Sequence, residues 1–392
     1  VIYLHGSIAN IPSLRSNKYS FVQPLENTVR FIMNKVDFDS AAYSKLLIEQ
    51  ESKITNTFET AYRVIPHGQQ ILFENGFEEQ SKSFEGDKWG GKYLRAPEIY
   101  YKILAKGIND LVELKSVSDV VYGIKTGAND FFIVDDEIIS AWGIENEFLE
   151  PILKSPKESK SLRINSNNLN LKLLLCDKPM KELRGKNIKN YIEFGEDPNQ
   201  WEGNPPALRS SCIGRSNWYT LGYREKASIN CNYMVNTLMK FYYGNVFVSD
   251  NFQEVHFKGK NMDEFIFSCN STVFQLILNV MGRANFGDGL MKLQTFEVQR
   301  LVLMSPDKFK LGIEEKRILK AFLSRNQDSI FNEIGLNEDI PIRSQDPNPL
   351  PDRTALDKVI FDALGLTDDE RNEVYWSVAE LVQQRLNKAA SR

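Results

Sequence analysis

The sequence predicts an α/β (α+β) fold in which a mixed, β-rich middle domain follows a connector and precedes a helical region. Three observations carry this. Short runs rich in Val, Ile, Phe and Tyr, bounded by Gly, Asn and Asp, recur between Val120 and Met304, as strands joined by turns do. The segment Ser271 to Met281 is almost wholly apolar, which fits a buried helix. From Ala355 to Ala389 apolar residues return at helical spacing, broken once at Gly365-Leu366-Thr367-Asp368.

Composition sets the outer bounds. A chain of 392 residues holds two or three domains and a sizeable core. Hydrophobic residues at 42% and charged ones at 26% are ordinary for a globular protein. No apolar run approaches the ~18 residues of a membrane span, and no signal peptide is legible, so the expectation is a cytoplasmic protein. The chain opens on Val1 instead of Met, which suggests a fragment. Cys176, Cys212, Cys231 and Cys269 lie too far apart for a CxxC pair, and only His5, His67 and His256 could join them. A reduced protein without bound metal is expected.

Taken in order, residues 1–26 show no clear period. Thr28 to Met33 is a short strand candidate, Asp39 to Glu51 an amphipathic helix, and Ala61 to Ile65 another strand. Pro97 stands where a helix can begin, with Ile99, Tyr100, Ile103 and Leu104 as its buried stripe. The central stretch VVYGIKTGANDFFIV, Val120 to Val134, reads as strand, exposed polar loop, strand. Leu149 to Pro156, Leu171 to Cys176 and the region Ala227 to Lys258 are strand-like; Leu183 to Phe194 is helical. Between them Gly195 to Gly222 is long and irregular, and such loops are more often functional than idle. Leu301 to Met304 closes the last strand, Ile313 to Phe331 is a helix, and Asp339 to Arg353 is a linker. Thr367 or Asp368 would cap the final helix.

Three motifs in order carry a resemblance. They are Gly86-Asp87-Lys88-Trp89-Gly90-Gly91-Lys92-Tyr93, the central stretch, and Gly282-Arg283-Ala284-Asn285-Phe286-Gly287 followed by Leu290-Met291-Lys292-Leu293. Together they resemble the C-terminal target-recognition (specificity) region of bacterial adenine-N6 DNA methyltransferases of restriction-modification systems, type IIG and type I-like enzymes included. The likeness runs from about Asn27 to the C-terminus. It implies a parent that transfers a methyl group from S-adenosylmethionine to adenine N6 at a specific DNA sequence. It divides the chain into a connector (1–109, with the possible end of the methyltransferase domain), a target-recognition domain (110–310) and a C-terminal helical region (311–392).

The catalytic chemistry of that family is not legible here. Its Asn/Asp-Pro-Pro-aromatic motif places a ring on the flipped base. Here Asn204-Pro205-Pro206 is followed by Ala207, and no apolar strand leads into it. No glycine-rich strand-to-helix turn suits S-adenosylmethionine, since the Gly282, Gly287 and Gly289 series follows a helix. The two E-x-K matches, Glu113-Leu114-Lys115 and Glu158-Ser159-Lys160, are too common a spacing to mark a nuclease. The fragment is therefore expected to be non-catalytic, without a cofactor of its own. Its partners would be double-stranded DNA and a methyltransferase catalytic domain, with no membrane contact.

Charge agrees with a nucleic-acid partner only locally. The whole chain carries −4, yet residues 151–310 hold 22 Lys and Arg against 15 Asp and Glu. Candidate DNA contacts are Lys125, Thr126 and Asn129 at the central loop, Arg215, Trp218 and Tyr219 in the long passage, Lys258 on phosphate, and Lys88, Trp89 and Lys92 upstream. Each has a plainer reading. Asn129 can close its own turn, Trp218 and Tyr219 can belong to the core, and Trp89 can staple the connector down. Two rival functions stand beside this one: a separate specificity subunit working through protein contacts of its helical tail, and a self-contained nuclease.

Overall fold

A computed structural model describes residues 90–282 and 289–390, with short stretches between residues 2 and 84. The expectations placed on Thr28 to Met33, Asp39 to Glu51, Lys88 and Trp89 fall outside the described residues, as do residues 283–288 of the third motif. The chain forms two compact units, Val1–Tyr101 and Lys102–Arg392.

In the first unit, Arg63–Val64 pairs antiparallel with both Ile2–Tyr3 and Thr57–Phe58, and Phe77–Glu78 pairs with Ser83–Phe84. A π-helical turn, Gly90–Arg95, follows. Lys92 is half-buried in it, and its carbonyl accepts from the Tyr101 hydroxyl. Pro97 immediately precedes the helix Glu98–Lys106, whose Ile99, Tyr100 and Ile103 are buried.

The second unit is built on two four-stranded sheets. In chain order the elements are β1 (Ser118–Tyr122), α1 (Asn129–Phe132), β2 (Ile133–Val134), α2 (Asp136–Trp142), β3 (Leu149–Leu153) and β4 (Lys172–Leu174). Then come α3 (Asn187–Phe194), β5 (Ile229–Asn232), β6 (Phe241–Tyr243), β7 (Phe247–Val248) and β8 (Phe252–Phe257). One sheet has the order β6-β5-β8-β1 and is wholly antiparallel; the other has the order β7-β3-β4-β2, with β7 and β3 parallel. The central stretch is therefore no hairpin. Its two apolar runs enter different sheets, and Phe131 and Phe132, strand formers by propensity, lie in a helical turn with both rings buried.

Those rings explain the outcome. Phe131 stacks on Tyr191 of α3 at 4.7 Å and meets Trp218 at 4.8 Å, in a core that also holds Ile152, Leu173, Leu174 and Ile192. A β-strand would send successive side chains to opposite faces, whereas one helical turn delivers both rings to the same core. Tertiary burial overrides local propensity here.

The helical layer follows the sheets: α4 (Met262–Cys269), α5 (Thr272–Met281), α6 (Ile313–Ser324), α7 (Ile330–Ile334), α8 (Pro351–Ala363) and α9 (Asp368–Ala390). Every residue of α5 from Thr272 to Val280 is buried, and α5 packs on α8 and α9. Ser271 caps α5, and Asp357 of α8 accepts hydrogen bonds from the Thr272 amide and hydroxyl. The single helix expected from Ile313 to Phe331 is two. The chain breaks at Arg325, whose guanidinium reaches Glu333 and Asp352, and α7 restarts on a Ser329 cap. The linker expected from Asp339 to Arg353 ends early, because Pro351 opens α8 in the first-turn position proline tolerates. Thr367 and Glu370 cap α9 reciprocally.

Among the described residues no helix is long and apolar enough to cross a membrane, and no group of three or more His, Cys, Asp or Glu is placed to hold a metal.

Candidate nucleic-acid interface

The two sheets exchange chain at one point. After β1 the backbone leaves its sheet at Gly123, whose amide donates to the Phe252 carbonyl at 3.0 Å. Ile124 then donates to Val248 of the other sheet at 2.8 Å and bridges Ser249 in parallel. The chain between β7 and β8 makes the opposite crossing through Ser249. The backbones touch closely enough that a Cβ at Gly123 would lie 2.0 Å from the Ser249 carbonyl oxygen. Only glycine fits there.

Beyond the crossing, Lys125 to Asp130 form a tight turn held from inside and outside. Thr126 is buried; its hydroxyl donates to the Asn129 side-chain oxygen and accepts from the Ala128 amide at 3.2 Å. Gly127 adopts φ +75°, and its carbonyl accepts from the Ser211 hydroxyl at 3.2 Å. Arg215 donates to the Thr126 carbonyl at 2.6 Å and to the Trp218 carbonyl at 3.3 Å, with its guanidinium over the Phe132 ring. Arg209 holds Asp130 through both nitrogens at 2.5 and 2.6 Å. That contact keeps the Asp130 carboxyl below its ordinary range and raises the arginine further.

The long passage Gly195 to Gly222 is thus clasped to the central turn. It contains short helical turns at Pro198–Gln200, Pro206–Leu208 and Ser210–Ile213. Pro205 and Pro206 are buried, and the Asn204 carbonyl accepts from Arg209, so the Asn-Pro-Pro segment serves as a structural turn.

At the crossing a cleft of about 820 Å³ opens, lined by Tyr122, Lys125, Glu150, Asp177, Asn245 and the segment Leu221–Lys226. Lys125 is exposed and lies over the Tyr122 ring at 4.4 Å. Arg224 donates to Glu254 at 3.0 Å and to the Tyr122 carbonyl, so it fastens the segment to β1 and β8. Glu254 is almost wholly buried; burial raises its pKa, while Arg224 and His256, 3.4 Å away, pull it back. Lys226 pairs with Glu150 at 2.8 Å. Tyr223 stands 88% exposed beside these charges.

The predicted residues sort clearly. Lys125 reaches the cleft. Thr126, Asn129 and Arg215 are brought together, but the first is buried and Arg215 turns inward to two carbonyls, so neither is an exposed tip. Tyr219 is a core residue, 2% exposed with its hydroxyl on the Lys178 carbonyl, whereas Trp218 is half-buried, packing on Phe131 at the edge of that core while its indole donates to Glu196. Large aromatic surface gains more from burial than from display. Lys258 is exposed and pairs with Asp119 at 2.7 Å, at the end of the β1–β8 ladder away from the cleft. Sequence reasoning missed Asp177, Tyr223, Arg224, Glu225 and Lys226. Their one visible signal was the Tyr-Arg-Glu-Lys cluster after Gly222.

A family model described as the C-terminal domain of the type II methyltransferase M.Eco57I matches residues 86–334. The chain belongs to this family. The match to the M.Eco57I C-terminal domain takes in the crossing, the clasped passage and the cleft. Type II methyltransferase M.AccI of Acinetobacter calcoaceticus is 29% identical over 147 residues, 36% of this chain and 25% of that protein. The type IIG restriction endonuclease BpuSI superposes with a TM-score of 0.51 at 14% identity, over 75% of this chain and 34% of its own, and so shares the fold. The type IIL restriction-modification enzyme MmeI, solved in complex with DNA, aligns with a TM-score of 0.38 at 14% identity, over 71% of this chain and 36% of its own. The chain thus spans about a quarter of M.AccI and about a third of the two enzymes of known structure.

Proposed function

We propose that this chain is the sequence-specific DNA-recognition part of a site-specific, adenine-N6 DNA methyltransferase of a restriction-modification system. It positions duplex DNA for methylation by a catalytic domain outside the chain. Residues 110–310 are the recognition domain, 1–109 the connector and 311–392 the supporting helices. The observation that carries the reading is the cleft at the sheet crossing, where Lys125, Arg224, Lys226 and the open ring of Tyr223 share one rim. An aromatic face and fixed charged and polar groups on a rigid scaffold suit contact with base edges, with Lys125 at the rim open to a backbone phosphate.

Within this reading the residues divide by task. Lys125 and Lys258 contribute charge toward the backbone, and Lys88, Trp89 and Lys92 of the family-matched segment add a second contact. Thr126, Asn129 and Arg215 hold the shape of the rim, and Tyr219 in the core and Trp218 at its edge support it.

S-adenosylmethionine is the methyl donor of the parent, and the glycine-bearing turn among the described residues does not fit it. The strand-to-helix turn with glycines, from β1 to α1, offers no cradle: the space beside Gly123 is filled by the Ser249 carbonyl and that beside Gly127 by Ser211. The cofactor belongs to the catalytic part. The rival reading, docking through the tail, has less support, since Leu356, Ile360, Val374, Val378 and Val382 are all buried within the unit.

Duplex binding by the full 392-residue chain tests the proposal. Affinity should fall steeply with salt, with a log–log slope of about −0.9 per phosphate neutralised. A flat response would reject it. So would saturable binding of S-adenosylmethionine with methylation by the chain alone.

A further inference from the structure

The cleft has a charge pattern that a phosphate-binding groove would not have. Its three cations face three carboxylates, Glu150, Asp177 and Glu225. Lys226 is taken by Glu150 at 2.8 Å, and Arg224 is taken by the buried Glu254 at 2.9 Å. Among the described residues, Lys125 is the lining cation without a carboxylate partner, whereas Asp177 and Glu225 are both exposed and pair with no cation. The open charge of the cleft is therefore net negative, and a phosphodiester entering it would be repelled. A base edge would not. Carboxylates accept hydrogen bonds from exocyclic amino groups, and a negative site penalises edges that present only acceptors.

Resting on the DNA-recognition reading, we propose that Asp177 and Glu225 are specificity-determining residues that accept from the amino groups of cytosine or adenine in the target. Affinity for the backbone then comes from Lys125 at the rim and from cations outside the cleft, and the two carboxylates discriminate. The signs of the effects follow. Removing either carboxylate removes discrimination at one base position, and it also removes a repulsive charge near the DNA.

The test is selection from a duplex library with a randomised centre, using the full chain and its Asp177→Ala, Glu225→Ala and Lys125→Ala forms, with the affinity of each for unselected duplex measured in parallel. Both carboxylates are exposed, so the fold should persist, which thermal melting checks. The wild-type chain should enrich cytosine or adenine at defined positions. Each carboxylate variant should lose that preference at one position by about five-fold or more, and bind unselected duplex as well as the wild type or better. Lys125→Ala should bind all duplexes more weakly. Unchanged preferences in both carboxylate variants overturn this inference while leaving DNA recognition intact. Uniformly weaker binding by them overturns it as well. No enrichment by the wild-type chain overturns the DNA-recognition reading and this inference with it.

Discussion

The Arg209 guanidinium grips both carboxylate oxygens of Asp130, at 2.5 and 2.6 Å, and so closes a loop of 79 residues between the central turn and the long passage. The arginine also lies over Trp201 at 5.7 Å and donates to the Asn204 carbonyl, so three parts of the passage converge on it. Half-exposed Asp130 limits what the pair adds to global stability, about 1 kcal/mol at most. Its larger effect is local. Arg209→Ala should leave the melting temperature nearly unchanged yet expose the Gly195 to Gly222 passage to limited proteolysis, read by mapping the first cleavage.

The same pair has a definite pH response. The Asp130 pKa is lowered in the fold, so the unfolded chain takes up the proton first as pH falls. The contribution is complete above the ordinary aspartate range and is lost as pH drops through the lower folded value. Asp130→Asn should lower stability measured by urea unfolding slightly at neutral pH, where the contribution is complete, and flatten its fall in that acid window. An identical acid profile in wild type and variant would remove Asp130 from the account. Glu254 works in the other direction: its raised pKa makes stability fall as pH rises from the ordinary glutamate value through the folded one.

Gly123→Ala should be among the costliest small substitutions in the chain. The added carbon would sit 2.0 Å from a backbone oxygen that belongs to both crossings, so no side-chain rotation can relieve it. A loss of about 1–3 kcal/mol or more is expected, read as a lower denaturant midpoint. Wild-type stability would show that the crossing can open.

Arg353 is wholly buried, donating to Glu333 at 3.0 Å and to the Asn270 carbonyl at 2.5 Å. Glu333→Leu would leave that charge in the interior with one hydrogen-bonded carbonyl and the field of the buried Asp357 carboxyl, and should cost about 3–5 kcal/mol. The double change Glu333→Leu with Arg353→Met should recover much of the loss. If it does not, Arg325, which also holds Glu333 at 2.6 and 2.7 Å, is the more important partner.

Trp218→Ala should lower stability by about 2 kcal/mol or more, since its ring fills the space beside Gly195 and Phe131. Its effect on DNA discrimination should follow from that loss. A variant of full stability with altered base preference would return Trp218 to the recognition surface.

What the sequence determined by itself was whatever rests on local pattern. The burial of α5, the amphipathic faces of α8 and α9, the cap at Thr367 and the strands at Leu149 to Leu153 and Val302 to Met304 are read within a few residues of chain. Motifs in order gave the family, because fixed glycines and aromatics in three places are hard to match by chance. What only the tertiary structure decided was partnership. Nothing local says that β1 and β2 join different sheets, that Arg215 spends its donors on backbone carbonyls, or that Tyr219 is buried and Trp218 packs on Phe131. The cleft is the clearest case. Its walls come from residues 122–125, 150, 177, 221–226 and 245, and they meet because one glycine lets two backbones cross where any larger residue would hold them apart.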